Sequence, residues 1–290
     1  MSKTRLAVRA LRLAITRSTS DPIHDYNAAS PTYDSFFTKV MGVHSVAALD
    51  QVTIRPGNTV VELACGTGHL TEAIGERLAG RGVIRAVDKS PGMLEVARAK
   101  VTGSSLLDVT LEAGDMEEFL RRQPTASADV VVCGWAICYG KPPQLLRQIH
   151  RVLKPEGHVL IIETRADALQ NLVRPLERVF ADDPSLLTSL IRISLPKSAA
   201  VVARWFEKAG LVVTHQSEGS QVLPVTTPDA ALEWVQRSGA AAGFKDAVDS
   251  QREEEVLRKL RDELAVQVAS SGQLQLRHTF LVVTGRKPAA

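Results

Sequence analysis

Apolar segments alternate with segments of helical spacing between residues 58 and 164. The apolar segments read NTVVELA, GVIRAVD, LDVTLEAGD, ADVVVCGWA and HVLIIET, and helical spacing follows the first, second and fourth of them. This order predicts a parallel sheet covered by helices on both faces, with right-handed crossovers. Ligands of such open sheets bind beyond the carboxyl ends of the strands, where the strand order reverses.

The alternation ends after residue 165. Residues 166–208 and 228–270 have mostly helical spacing, residues 209–227 contain a sixth strand, and residues 271–290 contain a long closing strand. We interpret the two helical insertions as a cap over the ligand edge of the sheet, with ordinary crossover helices as the alternative. Seven apolar side chains of these insertions either line an enclosed chamber or serve packing alone: Leu169, Leu172, Val173, Phe180, Trp205, Trp234 and Phe244.

Positive charge is concentrated at the start of the chain. Residues 1–20 hold five basic residues and no acid, whereas the other 270 residues hold 30 basic and 32 acidic ones. The body of the chain therefore has no general attraction for a phosphate backbone, which argues against a nucleic-acid partner. The basic segment, residues 1–21, suits a transit-type or membrane-surface helix, which allows peripheral membrane contact, or a solvated leading helix.

The cysteines and the apolar runs indicate a cytoplasmic protein. The three cysteines, Cys65, Cys133 and Cys138, form no pair or cluster with the spacing of a zinc site, so we expect reduced thiols and no metal. No apolar run reaches the roughly 20 residues that span a bilayer.

A glycine loop and two acids point to a nucleoside ligand. Gly66 and Gly68 stand between the first strand and its helix, where backbone N–H groups can meet a negatively charged group. Asp88 ends the second strand about 20 residues later and suits ribose hydroxyls. Asp115 ends the third strand beside Met116, where a carboxylate and an apolar surface suit an adenine. One such acid alone is usually a helix cap, and Thr71 at the third position of the dinucleotide pattern weakens an NAD or FAD interpretation.

The chain resembles a known family in these segments. VVELACGTGHL, IRAVDKSPGMLEVAR, LEAGDMEEF, ADVVVCGWAICYG and IHRVLKPEGHVLIIE resemble the successive motifs of class I S-adenosylmethionine-dependent methyltransferases, nearest to the ubiquinone/menaquinone-biosynthesis-like small-molecule branch. YNAASPTYDSFF resembles the leading segment of that branch, and RHTFLVVTGRK resembles its antiparallel closing strand. The resemblance covers residues 22–165 closely and is weak through both insertions.

The resemblance implies a Rossmann-like, doubly wound α/β fold with seven strands, S-adenosyl-L-methionine as the cofactor, and a set of cofactor contacts. It assigns the methionyl end of the cofactor to Glu62, Ala64, Gly66 and Gly68, with Tyr33 closing over it. It assigns the ribose to Asp88, and it assigns the adenine to Lys89, Met93, Asp115 and Met116. Gly134 and Trp135 are assigned to the floor beside the sulfonium.

Three residues are candidates for the acceptor side, where a base or a positioning group would act. His69 opens the helix after the glycine loop, Tyr139 follows the fourth strand, and Glu163 ends the fifth strand. The alternatives are helix-start packing for His69 and an ion pair with Arg165 for Glu163.

The function expected from these observations is methyl transfer to a small, fairly apolar metabolite, on oxygen or carbon, in natural product biosynthesis. Two alternatives remain open, namely a cyclase or rearrangement enzyme that keeps the cofactor, and a non-catalytic binding subunit.

Overall fold

A seven-stranded sheet is the framework of the fold. The computed structural model describes residues 2–16, 21–102, 108–190, 193–239, 247–249 and 251–289. The strands are β1 (Thr59–Leu63), β2 (Val83–Asp88), β3 (Val109–Ala113), β4 (Ala128–Gly134), β5 (Leu153–Thr164), β6 (Val212–Val222) and β7 (Arg277–Arg286). Their order across the sheet is β3-β2-β1-β4-β5-β7-β6.

The pairing of the strands confirms the predicted fold class. β1 to β5 run parallel, with Val60 opposite Ile84 on one side and Val130 on the other. β7 pairs antiparallel with β5, and His158 lies opposite Arg286. The chain leaves β1 towards β2 and β3 first and returns to β4 on the opposite side. The strand order therefore reverses between β1 and β4, and this is where an open α/β sheet binds its ligand.

Eleven helices are present in the described ranges. They are α1 (Ser2–Ile15), α2 (Ile23–Ala29), α3 (Lys39–Ala48), α4 (His69–Leu78), α5 (Pro91–Thr102), α6 (Met116–Arg122), α7 (Pro142–Val152), α8 (Gln170–Asp182), α9 (Ala199–Lys208), α10 (Pro228–Arg237) and α11 (Glu253–Ser271). Short 3₁₀ turns add Leu49–Gln51, Ile137–Tyr139 and Pro184–Leu186, and a π-helical turn spans Asp34–Thr38. Among the described residues no helix has the length and apolar character needed to cross a bilayer.

Helix α7 shows how the sequence pattern sets the packing. Leu145, Leu146, Ile149 and Val152 recur at helical spacing and are fully buried. Two prolines stand at its first two positions, where no backbone N–H is needed within the helix. The apolar face therefore turns to the sheet, and Arg151 at the last turn donates to the carbonyls of Leu120 and Gln123.

Strand β5 begins earlier than the sequence predicted. The apolar segment HVLIIET places the start of the fifth strand at His158, but Leu153 already pairs with Ala128. The register shifts between Ala128 and Val130, and Glu156 has a φ of 63°. This irregularity has the features of a β-bulge, which turn signals alone do not distinguish from a loop.

The chain divides into two units, which we name by their content. The sheet unit comprises Thr38–Ala166, Ser194–Gly219 and Thr279–Ala290, and it includes α9, whose residue Phe206 is fully buried. The helical unit comprises Met1–Phe37, Asp167–Ile193 and Ser220–His278. Its core contains Val179, Phe180, Leu186, Val248 and Val256. The domain ranges drawn from the sequence remain predictions. Phe244, one of the side chains predicted to line a chamber, lies outside the described residues.

The burial pattern of the sheet predicts unequal sensitivity to truncation. Val131 in β4 is completely buried, whereas Val212 in the edge strand β6 is 44% exposed. We expect Val131→Ala to lower the free energy of unfolding by about 2–3 kcal/mol, because a cavity replaces two methyl groups. The matched Val212→Ala change should cost about 0.5 kcal/mol or less. Urea unfolding of both variants measures this, and equal losses would contradict the assigned core.

Candidate active site

The loop between β1 and α4 presents open backbone at the carboxyl edge of the sheet. Ala64, Gly66 and Gly68 all have positive φ, at 54°, 56° and 81°. A Cβ built on Gly66 would meet no atom within 4 Å, so one side of this residue is free of side chains. Glycine makes this left-handed conformation accessible and leaves the backbone open to a ligand.

The start of α4 supplies unsatisfied N–H groups next to that loop. The helix begins at His69, and its N-cap residue Gly68 provides no side-chain cap. The first intrahelical bond runs from Glu72 N to Gly68 O at 3.0 Å. The positive end of the helix dipole and the N–H groups of the first turn therefore suit a carboxylate or a phosphate.

Asp88 joins the end of β2 to the glycine loop. Its Oδ2 accepts from Gly66 N at 2.8 Å, and its Oδ1 accepts from Ser90 N at 2.8 Å. Burial raises the pKa of Asp88, and these backbone N–H groups partly offset the increase. A carboxylate has about four acceptor positions, so this one retains capacity for ligand hydroxyls.

Asp115 acts as a helix cap with one of its two oxygens. Its Oδ1 accepts from Glu117 N at 2.8 Å and from Glu118 N at 3.2 Å, at the start of α6. Its Oδ2 has no hydrogen-bond partner among the described residues. The helix-cap alternative is therefore observed. These two bonds to Oδ1 fix the orientation of the carboxylate and leave Oδ2 available to a ligand.

Glu62 is a buried carboxyl next to this loop. It is 1% exposed, and its Oε2 accepts from Thr71 Oγ1 at 2.7 Å. Burial, with a smaller contribution from the charge of Asp88, raises the pKa of Glu62 to about 8. Thr71 occupies the position at which a dinucleotide-binding pattern has a small residue. Its hydroxyl group donates a hydrogen bond to the Glu62 carboxyl group.

The end of β4 is tightly constrained. A Cβ on Gly134 would lie 2.8 Å from Leu70 Cδ1, so only glycine fits there without a shift. Trp135 follows with a φ of 59°, an uncommon conformation for a bulky residue. Its indole N–H donates to Ser45 Oγ at 2.8 Å, and its ring meets Phe280 edge-on at 5.8 Å. These contacts fix the indole in one position.

The surroundings of four other predicted cofactor residues differ. Lys89 is exposed at the start of the turn after β2, and Met116 is half-buried. Met93 is 2% exposed, so its side chain belongs to the core under α5. Tyr33 lies in the helical unit, where its ring packs against Phe37 at 5.1 Å. The role of each in cofactor binding remains a prediction.

The three acceptor-side candidates follow neighbouring strands of the sheet, β1, β4 and β5. His69 Nε2 lies 3.2 Å from Gly42 O in α3, which agrees with helix-start packing. Glu163 is 1% exposed and accepts from Cys138 N at 3.2 Å and Thr164 N at 2.8 Å. Burial raises the pKa of Glu163 to about 7. Tyr139 is 36% exposed at the end of the turn that Glu163 holds. Their chemical roles remain predictions.

Helix α3 was not predicted to contribute to the site. It supplies Ser45 to the indole of Trp135 and Gly42 to His69, and His44 packs against Phe280 at 4.6 Å. Local sequence patterns do not indicate which side chains of a helix contact a distant strand end. All three cysteines are buried, and burial raises the pKa of each thiol. Among the described residues no cluster of three potential ligands for a metal ion occurs.

Comparison with known proteins agrees with this geometry. A profile described as "Methyltransferase domain" matches residues 60–157. The demethylmenaquinone methyltransferase of Lactococcus lactis is 30% identical over 184 residues, covering 56% of this chain and 69% of that protein. The chain belongs to the class I S-adenosylmethionine-dependent methyltransferases, in the ubiquinone/menaquinone-biosynthesis-like branch. S-adenosyl-L-methionine is the cofactor of this class.

Two further comparisons set the extent of the likeness. The demethylmenaquinone methyltransferase of Symbiobacterium thermophilum is 38% identical over 115 residues, which is 39% of this chain and 45% of that protein. This chain thus spans less than half the length of that relative. The crystal structure of the 4+2 cyclase SpnF superposes with a TM-score of 0.60 at 14% identity, covering 94% of this chain and 98% of that chain. At this identity the superposition shows the shared fold alone.

The residues present fit the cofactor of this class. The open side of Gly66 and the uncapped start of α4 suit a carboxylate, and Asp88 and the free oxygen of Asp115 suit hydroxyl and amine donors.

This fit predicts the effect of removing the charge of Asp88. We expect Asp88→Asn to weaken cofactor binding by about tenfold or more, because ligand hydroxyls lose a charged acceptor. Asp108→Asn is the matched control, since Asp108 is exposed at the amino end of β3. Calorimetric titration with the cofactor measures both, and unchanged affinity in Asp88→Asn means that the pocket is misassigned.

Proposed function

We propose that the chain transfers the methyl group of S-adenosylmethionine to a carbon atom of a quinol-type aromatic ring. The observation that carries the methyl-transfer part is the contact between the Asp88 carboxylate and Gly66 N, beside the uncapped α4. The acceptor class is supported by the relatives named demethylmenaquinone methyltransferase. This acceptor is narrower than the small apolar metabolite that the sequence suggested, and natural product biosynthesis is not part of the proposal.

Methyl transfer requires the protein mainly to align the acceptor with the cofactor and to exclude water. When bound, S-adenosylmethionine supplies a methyl group attached to a positively charged sulfur. Gly66, the start of α4 and Asp88 would hold this cofactor, which would donate its methyl group to a ring carbon of the acceptor and leave as the neutral thioether, with the carbon–sulfur electron pair kept on sulfur. The proton of that ring carbon would pass to solvent water. Proximity and alignment lower the barrier of such a displacement, and the dispersal of charge favours a weakly polar site.

The end of β4 is suited to that positioning. The indole of Trp135 is held by Ser45 on one side and Phe280 on another, which leaves it little rotational freedom. Glu163 holds the turn that carries Tyr139 through the backbone N–H of Cys138. We assign Glu163 to this positioning role, and we assign Tyr139, which is more exposed, to the acceptor side.

A direct test uses cofactor carrying a deuterated methyl group and a reduced, unmethylated naphthoquinone. We expect the product to gain one deuterated methyl group on a ring carbon, with demethylated cofactor released in equal amount. Mass spectrometry measures the gained mass and the released demethylated cofactor, and carbon NMR identifies the atom that carries the methyl group. A methyl group on oxygen corrects the acceptor atom, whereas an acceptor of unchanged mass after turnover contradicts methyl transfer and favours rearrangement.

Glu62 predicts a pH dependence of cofactor affinity. Its pKa of about 8 keeps the carboxyl protonated at neutral pH in the free protein, and the ammonium group of a bound cofactor favours the ionised form. Affinity should therefore rise from pH 5.5 to pH 7, by up to about tenfold per pH unit, with release of a proton on binding.

Calorimetry in two buffers of different ionisation enthalpy measures that proton. Glu62→Gln should bind more weakly and with little pH dependence. Glu163→Gln is the matched control, because it removes another buried carboxyl of raised pKa, and it should keep the slope of the unchanged protein. An unaltered slope in Glu62→Gln would show that this carboxyl does not face the ammonium group.

A further inference from the structure

Helix α1 has an apolar face that is exposed to solvent. Val8, Leu11 and Ile15 are 46%, 61% and 72% exposed. Their spacing of three and four residues places them on one side of the helix, over a length of about 10 Å. We call these three side chains the outer face of α1.

The opposite face fixes α1 within the helical unit. Leu13 is 6% exposed, and Leu6 packs against the core that contains Val179 and Phe180. Arg9 Nε donates to Leu187 O at 2.9 Å. Packing of the opposite face therefore holds the outer face in a defined orientation. Its exposure does not result from a terminus that is detached from the rest of the helical unit.

Positive charge flanks the outer face on one side. Arg5 lies three residues before Val8 and Arg12 four residues after it, about one helical turn on each side, and both are exposed. Neither guanidinium has a carboxylate partner among the described residues. The first 20 residues contain no acid at all. An apolar strip beside unpaired arginines is the pattern of a helix that lies in a lipid headgroup region.

We propose that the outer face of α1 docks the protein on an anionic bilayer surface. The apolar side chains enter the boundary between headgroups and acyl chains, and Arg5 and Arg12 contact lipid phosphates. A second copy of the chain is the weaker occupant. A symmetric contact would bring the arginines of both copies together, and three side chains supply far less than the roughly 800 Å² per partner of a stable interface. The proposal does not depend on the methyl acceptor.

Vesicle flotation of the full chain tests the proposal without an activity assay. We expect binding to vesicles of phosphatidylcholine with about one third phosphatidylglycerol, and little binding to phosphatidylcholine alone. Arg5→Gln/Arg12→Gln should lower the partition coefficient about tenfold or more, since each basic residue contributes separately near an anionic surface. Val8→Ser/Leu11→Ser/Ile15→Ser should lower it to the level of neutral vesicles. High salt should weaken binding of the unchanged protein.

Matched controls separate the outer face from general charge and hydrophobicity. Arg81→Gln/Arg121→Gln removes the same charge from exposed sites elsewhere, and Val43→Ser/Val266→Ser removes exposed apolar groups. Both controls should bind like the unchanged protein, and thermal melting should show that all variants fold. Equal binding by the α1 variants and the controls overturns the proposal. Self-association in sedimentation that the α1 serine variant abolishes, without vesicle binding, also overturns it and assigns the face to a second copy.

Discussion

The hydrogen bond from Gly66 N to Asp88 connects the two halves of the site. It links the loop after β1 to the end of β2, so the residue suited to the ribose also sets the position of the loop suited to the methionyl end. Gly66 has a positive φ and no neighbour where a Cβ would stand, so no side chain of its own holds it in place. The backbone bond from Cys65 N to Val87 O is a second link between this loop and β2, and the Asp88 carboxylate adds a charged one.

Two other buried carboxyl groups, Glu62 and Glu163, lie near the carboxyl ends of β1 and β5, the strands on either side of β4. Each is 1% exposed, and burial raises the pKa of each well above the ordinary value of a glutamic acid. Between roughly pH 4.5 and the raised pKa values, the folded state binds more protons than the unfolded chain, so stability falls as pH rises through this range. Groups that cost stability are expected where a ligand or a strained turn needs them.

The sequence predicted the framework of this molecule better than the details of its site. Strands β1 to β5 and helices α4, α5 and α7 were predictable from apolar periodicity, since buried parallel strands have a distinctive composition, whereas α6 after β3 was not predicted. The position of Asp88 was predictable because its distance from the glycine loop reflects one βαβ unit. The early start of β5 at Leu153 was not, because the β-bulge depends on pairing with Ala128.

Helix α3 shows why the other contacts of the site could not be predicted from the sequence. Its residue Ser45 lies 90 positions from Trp135, Gly42 lies 27 positions from His69, and His44 packs against Phe280. These contacts form only in the folded chain, so no local sequence pattern indicates them. The same holds for Thr71, whose hydroxyl serves Glu62 only because the first turn of α4 returns over β1.

The site therefore combines two kinds of residue. The predicted cofactor residues Glu62, Asp88 and Gly134 lie at strand ends, whose positions the sheet determines. The indole of Trp135 is held by Ser45 of α3 and Phe280 of β7, and the carboxyl of Glu62 is held by Thr71 of α4, so tertiary packing determines the position of both groups.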